Sequence, residues 1–207
     1  MKTAIVMALL AITPAAMCQS PTCRGKLLQT ESEALNILLS STPSSTNPET
    51  RQCIAAAIDY SGELRSKASI PQLIRYLSFH KENPAARHPT FLLHPPIEGE
   101  DYPAVLALEQ IGMPARIFLI KVVQSSSASA LERQNATHAI ILSFLNEPQH
   151  DPGKGILYLR QAKVNEDPAT VMRIDQMIKY ALTTPVCTRF APKCSNATRQ
   201  KLPKALK

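Results

Sequence analysis

Apolar side chains recur at three- and four-residue spacing along almost the whole chain, and in no window do they alternate convincingly with polar ones. That periodicity belongs to amphipathic helices and argues against sheet. Between Arg24 and Ser41, the residues Leu27, Leu28, Ala34, Leu35, Leu38 and Leu39 fall on one helical face. After a Ser/Thr/Pro loop, Asn47-Pro48 reads as an N-cap followed by proline at the first helical position. A helix over 48–65 then buries Ile54, Ala57, Ile58 and Leu64, and a partner over 69–80 buries Ile70, Leu73, Ile74 and Leu77. Residues 81–100 hold four prolines and read as a long irregular insertion. Helices resume over 101–112 and 114–124. Ser129 with Glu132 forms a capping box for a helix reaching Asn146. Asp151-Pro152 and Asp167-Pro168 repeat the cap-then-proline signal before helices over 153–164 and 168–183. The expected class is all-α. Only 6 glycines stand against 17 prolines, which disfavours folds built on glycine turns and glycine-cradled phosphates.

The helical pattern also repeats. Ala57-Ile58-Asp59-Tyr60-Ser61-Gly62 matches Ala107-Leu108-Glu109-Gln110-Ile111-Gly112 in residue type, and each is followed by a proline-marked apolar helix. Arg51-Gln52 leading to Ala57-Ile58 returns as Arg133-Gln134 leading to Ala139-Ile140, two periods of about 41 residues later, the range of a two-helix solenoid repeat. The segments Ala104–Ile120 (AVLALEQIGMPARIFLI) and Ala55–Leu77 resemble a short HEAT-like repeat. The resemblance covers roughly residues 48–183, with the 81–100 insertion and a third repeat lacking the glycine as departures. It implies an α-solenoid of about three HEAT-like helical hairpins whose second helices line a concave binding face, and it carries no catalytic residues.

The first 18 residues have the layout of a secretory signal peptide: Met1-Lys2, the uncharged apolar run Thr3–Ile12, then a small, turn-forming stretch to Cys18. A lipid anchor on Cys18 is the weaker alternative, because Met17 is a poor residue before it. Removal of Cys18 leaves an even set of four cysteines. The favoured pairing is Cys187 with Cys194 and Cys23 with Cys53, which fits a secreted or periplasmic protein. Lys2 and the six cations of 187–207, a stretch without a single acid, account for the net charge of +7. The domain of 19–186 is therefore neutral, and the basic 187–207 segment is expected to be a disordered tail.

Chemistry-bearing motifs are absent: there is no Gly-x-Ser-x-Gly, His-Glu-x-x-His, GxGxxG or GxxxxGK. The one close glycine pair, Gly153 and Gly155, reads as flexible capping rather than a phosphate cradle. Without tryptophan and with ten other aromatics, the chain offers no platform for stacking bases, so nucleic acid is disfavoured. His80, His88 and His94 bracket the insertion at spacings that match no metal motif, Phe91-Leu92-Leu93 within it is a contact candidate, and His138 reads as a hydrogen-bonded core residue. Asn135-Ala136-Thr137 and Asn196-Ala197-Thr198 are glycosylation acceptors in a host that modifies exported chains.

One asymmetry rises above this background. The second helices of the repeats carry Arg75, Arg116, Lys121, Lys154, Arg160 and Lys163 and no acid, whereas the first helices are net acidic. If the second helices line the concave face, Arg75, Arg116, Lys121, Arg160 and Lys163 form a positive ladder. The expectation is a non-enzymatic, exported protein-binding module, with no cofactor or metal, that takes an acidic partner on that face. The alternatives are binding of an anionic surface or polyanion through the basic C-terminal segment, and a metal-dependent enzyme using the 81–100 loop.

Overall fold

The computed structural model describes residues 22–81 and 101–200. The signal segment 1–18 and nearly all of the 81–100 insertion, including His88, His94 and Phe91-Leu92-Leu93, lie outside the described residues.

The described residues open on a short hairpin, β1 (Thr22–Cys23) paired antiparallel with β2 (Lys26–Leu27). Its turn residues Arg24 and Gly25 both have positive φ, 52° and 71°, as a two-residue turn of the primed kind requires. The expected helix from Arg24 therefore does not form. Helix α1 (Glu31–Ser40) starts later, at a reciprocal capping box in which Thr30 accepts from the Glu33 amide and Glu33 accepts from the Thr30 amide. Leu39, expected inside, is exposed.

The two longest predicted caps work as read. Asn47 accepts from the Thr50 amide to open α2 (Pro48–Glu63), and Ser129 with Glu132 boxes the start of α6 (Ala130–Leu145). Between them lie α3 (Ile70–Arg75), α4 (Pro103–Ile111) and α5 (Met113–Gln124). Helix α3 is a turn and a half rather than the expected span to residue 80; Tyr76, Leu77 and Phe79 are nevertheless buried beyond its end. The Tyr76 hydroxyl lies 3.0 Å from the Leu38 carbonyl and 2.8 Å from that of Ser41, tying this segment to the end of α1.

Helices α7 (Gly153–Gln161) and α8 (Pro168–Thr183) follow, the latter capped by Asp167 through the Ala169 and Thr170 amides. The described residues end in α9 (Pro185–Arg189) and α10 (Ala191–Arg199). The expected disordered tail is thus helical as far as Arg199. Cys187, Cys194 and Ala197 are buried, and α10 packs on α7. Three small apolar residues at 187, 194 and 197, the first two joined by a disulfide, supply an inward stripe that docks a segment carrying basic side chains and no acid.

Among the described residues the structure is all-α apart from the hairpin. Helix α2 packs on α4, α4 on α6, and α6 on α8, while α3 packs on α5 and α5 on α6. The facing positions are small or branched: Ala57 and Ile58 of α2, Ala104, Ala107 and Leu108 of α4, Ala136, Ala139 and Ile140 of α6, all in one core. Alanine at these positions lets helix axes approach closely and interlock. Both predicted disulfides are present, Cys23–Cys53 and Cys187–Cys194, the first fastening the hairpin to α2. Such bonds belong to an oxidising, extracellular environment. No helix among the described residues is long and apolar enough to cross a membrane.

Candidate functional site

The five cations of the expected ladder do not share a face. Ala115, Leu119 and Val123 mark the buried side of α5, and Arg116 lies beside them at 5% exposure. Its guanidinium meets the Glu147 carboxylate at 2.8 Å, donates to the Ser143 hydroxyl and carbonyl at 2.8 and 3.0 Å, and lies 3.5 Å above the Phe144 ring. Arg160 points to α10, where it donates to the Ala197 and Gln200 carbonyls at 2.5 and 2.8 Å and so caps that helix's C-terminus. Lys163 is neutralised by Asp175 at 2.6 Å. Arg116, Arg160 and Lys163 therefore serve the fold, and are withdrawn from the partner-binding set.

Arg75 and Lys121 remain, and they line one groove. One wall is α3, contributing Pro71, Ile74 and Arg75 at i, i+3 and i+4; a second is α5, contributing Phe118, Lys121, Val122 and then Ser125 at i, i+3, i+4 and i+7. Ser127 and Ala128 before α6 and Glu132 in its first turn complete the lining. The groove holds about 500 Å³ and is open along one side. Both cations are exposed. Arg75 donates to Gln72 at 2.8 Å, and the Lys121 ammonium stands 5.9 Å from the Phe118 ring centre. Neither has a carboxylate partner among the described residues. The one acid present, Glu132, already accepts from the Ser129 amide at 2.7 Å as half of a capping box.

Beside this groove α5 leaves Met113 and Ile117 at 69% and 60% exposure, and Phe118 at 40%. A helix apolar on nearly every side, as MPARIFLIKVV is, has more than one face to cover, and that is the sequence signal for Phe118; Ile74, read as a core residue of its helix, is only partly buried.

The remaining candidates are placed as follows. His80 lies 3.9 Å from the Asp101 carboxylate and edge-on to Tyr102. Among the described residues no three His, Cys, Asp or Glu side chains converge as metal ligands would. Gly155 lets α7 approach α6, since a Cβ there would lie 3.0 Å from the Ile141 Cα, so this glycine serves packing. His138 is buried at 2% exposure, but its Nε2 has no hydrogen-bond partner among the described residues, contrary to the expected bonded core histidine. Asn135 is buried and donates to the Leu77 carbonyl at 2.6 Å, so only Asn196, exposed on α10, presents its acceptor amide to solvent.

No protein-family model, curated protein or solved structure matches this chain.

Proposed function

We propose that this chain is an exported, non-enzymatic protein-binding module that takes an acidic partner in the groove between α3, α5 and the start of α6. One observation carries the reading. Three of the five cations singled out in the sequence are engaged by carboxylates or backbone carbonyls of the fold, while Arg75 and Lys121, which have no carboxylate partner among the described residues, line one groove together with Ile74, Phe118 and Val122. Uncompensated charge flanking exposed apolar surface is the composition of an interaction site rather than of a solvated face.

The architecture behind it is an α-solenoid of about three HEAT-like hairpins, occupying the domain of 19–186. Support comes from the stacking of α2, α4 and α6 in chain order, with α3 on α5. It comes also from the matched pair Arg51 and Arg133. Each sits in the first turns of its helix and turns back to the preceding loop, Arg51 to the Ser45 carbonyl and Arg133 to those of Ser125 and Ala128. Export rests on the signal-like first 18 residues and on the two disulfides.

The second reading, binding of an anionic surface, is favoured by the C-terminal helices: Lys179, Arg189, Lys193 and Arg199 are exposed, and no acid occurs beyond Asp175. Because α10 is part of the fold, charge reversal tests this better than truncation. The full chain would be used to capture proteins from its own exported fraction, beside an Arg75→Glu/Lys121→Glu pair and a Lys179→Glu/Arg189→Glu/Arg199→Glu triple. Loss of one specific protein in the groove pair alone supports the proposal. Retention there with loss in the triple transfers the function to the C-terminal face.

A further inference from the structure

We infer that the occupant of the groove is an extended segment of a partner protein in which apolar side chains are flanked by carboxylates. This rests on the groove being the binding site and names what enters it.

Three properties of the groove select this occupant. Its volume of about 500 Å³ is small for a helix: two turns with side chains, ~11 Å long and ~10 Å across, occupy about 800 Å³. It is also largely open to solvent, whereas sites for free small molecules bury ~70–90% of the ligand surface. A few side chains of a longer segment fit such a groove without being engulfed. The third property is the order of chemistry across it. Ile74, Phe118 and Val122 supply apolar contact, while Arg75 and Lys121 rise from separate helices on the two sides. When an apolar side chain of an extended segment sits on the Phe118 ring, its neighbours in sequence point out of the groove, on the solvent side where the Arg75 and Lys121 side chains are exposed. Glutamate or aspartate side chains at those neighbouring positions can reach charges that have no carboxylate partner among the described residues.

A membrane surface would meet the same residue types, but it needs them on a convex face. Here Arg75 and Lys121 border a trough, so a chain reaches both cations and the floor together.

The test is fluorescence anisotropy with the full chain and a labelled synthetic peptide of about ten residues alternating Asp or Glu with Leu. Three comparison probes are used: the same peptide with Asn and Gln for the acids, the same peptide with Ser for Leu, and vesicles of phosphatidylserine and phosphatidylcholine. Variants are Arg75→Glu, Lys121→Glu, Phe118→Ser and, away from the groove, Lys179→Glu, each checked for native helix content. The expected result is saturable binding of the acidic peptide that weakens with salt and drops at least tenfold with either altered control peptide. It also drops at least tenfold in each groove variant and is unchanged in Lys179→Glu. Equal binding of the amide peptide, or indifference to the groove variants, overturns the inference. So does groove-dependent vesicle binding without peptide binding. If the chain captures a natural partner through Arg75 and Lys121 that the acidic peptide does not displace, the groove reading stands and this occupant falls.

Discussion

The Arg116 guanidinium and the Glu147 carboxylate form a 2.8 Å ion pair at the junction of α5 with the end of α6, roofed over the Phe144 ring and closed from solvent on the arginine side. A charge buried this way is held by geometry. Removing Arg116 takes away the donor to Ser143 and the cation over Phe144, and leaves Glu147 with only the longer contact to Lys154 at 3.9 Å. Arg116→Ala is expected to cost about 3 kcal/mol, which for a chain of this size lowers the melting temperature by roughly 6–12 °C. Arg75→Ala, at an exposed position, is expected to leave it within about 2 °C. Thermal unfolding of the two variants side by side checks both. A neutral Arg116→Ala would return that residue to the surface ladder.

Gly62 sets how closely α2 approaches α4. A Cβ there would lie 2.8 Å from the Ala107 Cα and 2.6 Å from the Gln110 carboxamide oxygen. The glutamine can swing away, but the backbone atom cannot. Gly62→Ala gains about 1 kcal/mol of helix propensity and forfeits more through overpacking, ~1–3 kcal/mol. Net destabilisation by urea unfolding is expected, and shortening the glutamine with Gln110→Ala is not expected to restore it, because the Ala107 backbone still blocks the added Cβ.

How much of this was legible in the sequence follows from the range over which each signal acts. Caps are local: Asn47, Ser129 and Asp167 were read from three or four consecutive residues, and each bonds as read. The late start of α1 was equally local but masked by Leu27 and Leu28, whose apolar spacing continued the helical pattern across the Arg24-Gly25 turn. The charged ladder failed for the opposite reason. Arg116, Arg160 and Lys163 find their partners on other elements, at Glu147, Ala197 and Asp175. No count along a single helix sees those partners, and only tertiary packing decides which cations are left over.

The two disulfides close loops of different length, with sequence separations of 30 and 7. Loop-closure entropy alone assigns ~3.7 kcal/mol to Cys23–Cys53 and ~2.5 kcal/mol to Cys187–Cys194. The paired Cys23→Ala/Cys53→Ala variant is thus expected to lose more global stability. Cys187→Ala/Cys194→Ala should act locally, speeding hydrogen exchange in α9 and α10 before the rest of the chain. Exchange that accelerates uniformly in the second variant would show that these helices unfold only with the core.

His138 gives the fold an acid limit. It lies within α6 at 2% exposure, its Nε2 without a partner among the described residues, and burial pushes its pKa down from 6.5 to about 4. The unfolded chain takes up this proton near pH 6.5, while the folded chain resists until about pH 4. Between those values the unfolded state holds more protons, so stability is complete above 6.5 and falls as pH falls through the window. The full difference corresponds to about 3 kcal/mol. Glu109 does not add to this loss. Burial raises its pKa, so the folded state protonates it more readily and is favoured, not penalised, by acid. Asp167 is held below the usual carboxylate range by hydrogen bonds from Thr170, so its contribution is lost mainly below this window, as pH falls past the unfolded carboxylate value toward the lowered folded one. Urea midpoints measured from pH 7 to pH 4.5 are expected to fall steadily for the native chain and to flatten for His138→Gln, which keeps a polar side chain without the titration. Parallel slopes for the two proteins would place the acid sensitivity on another group.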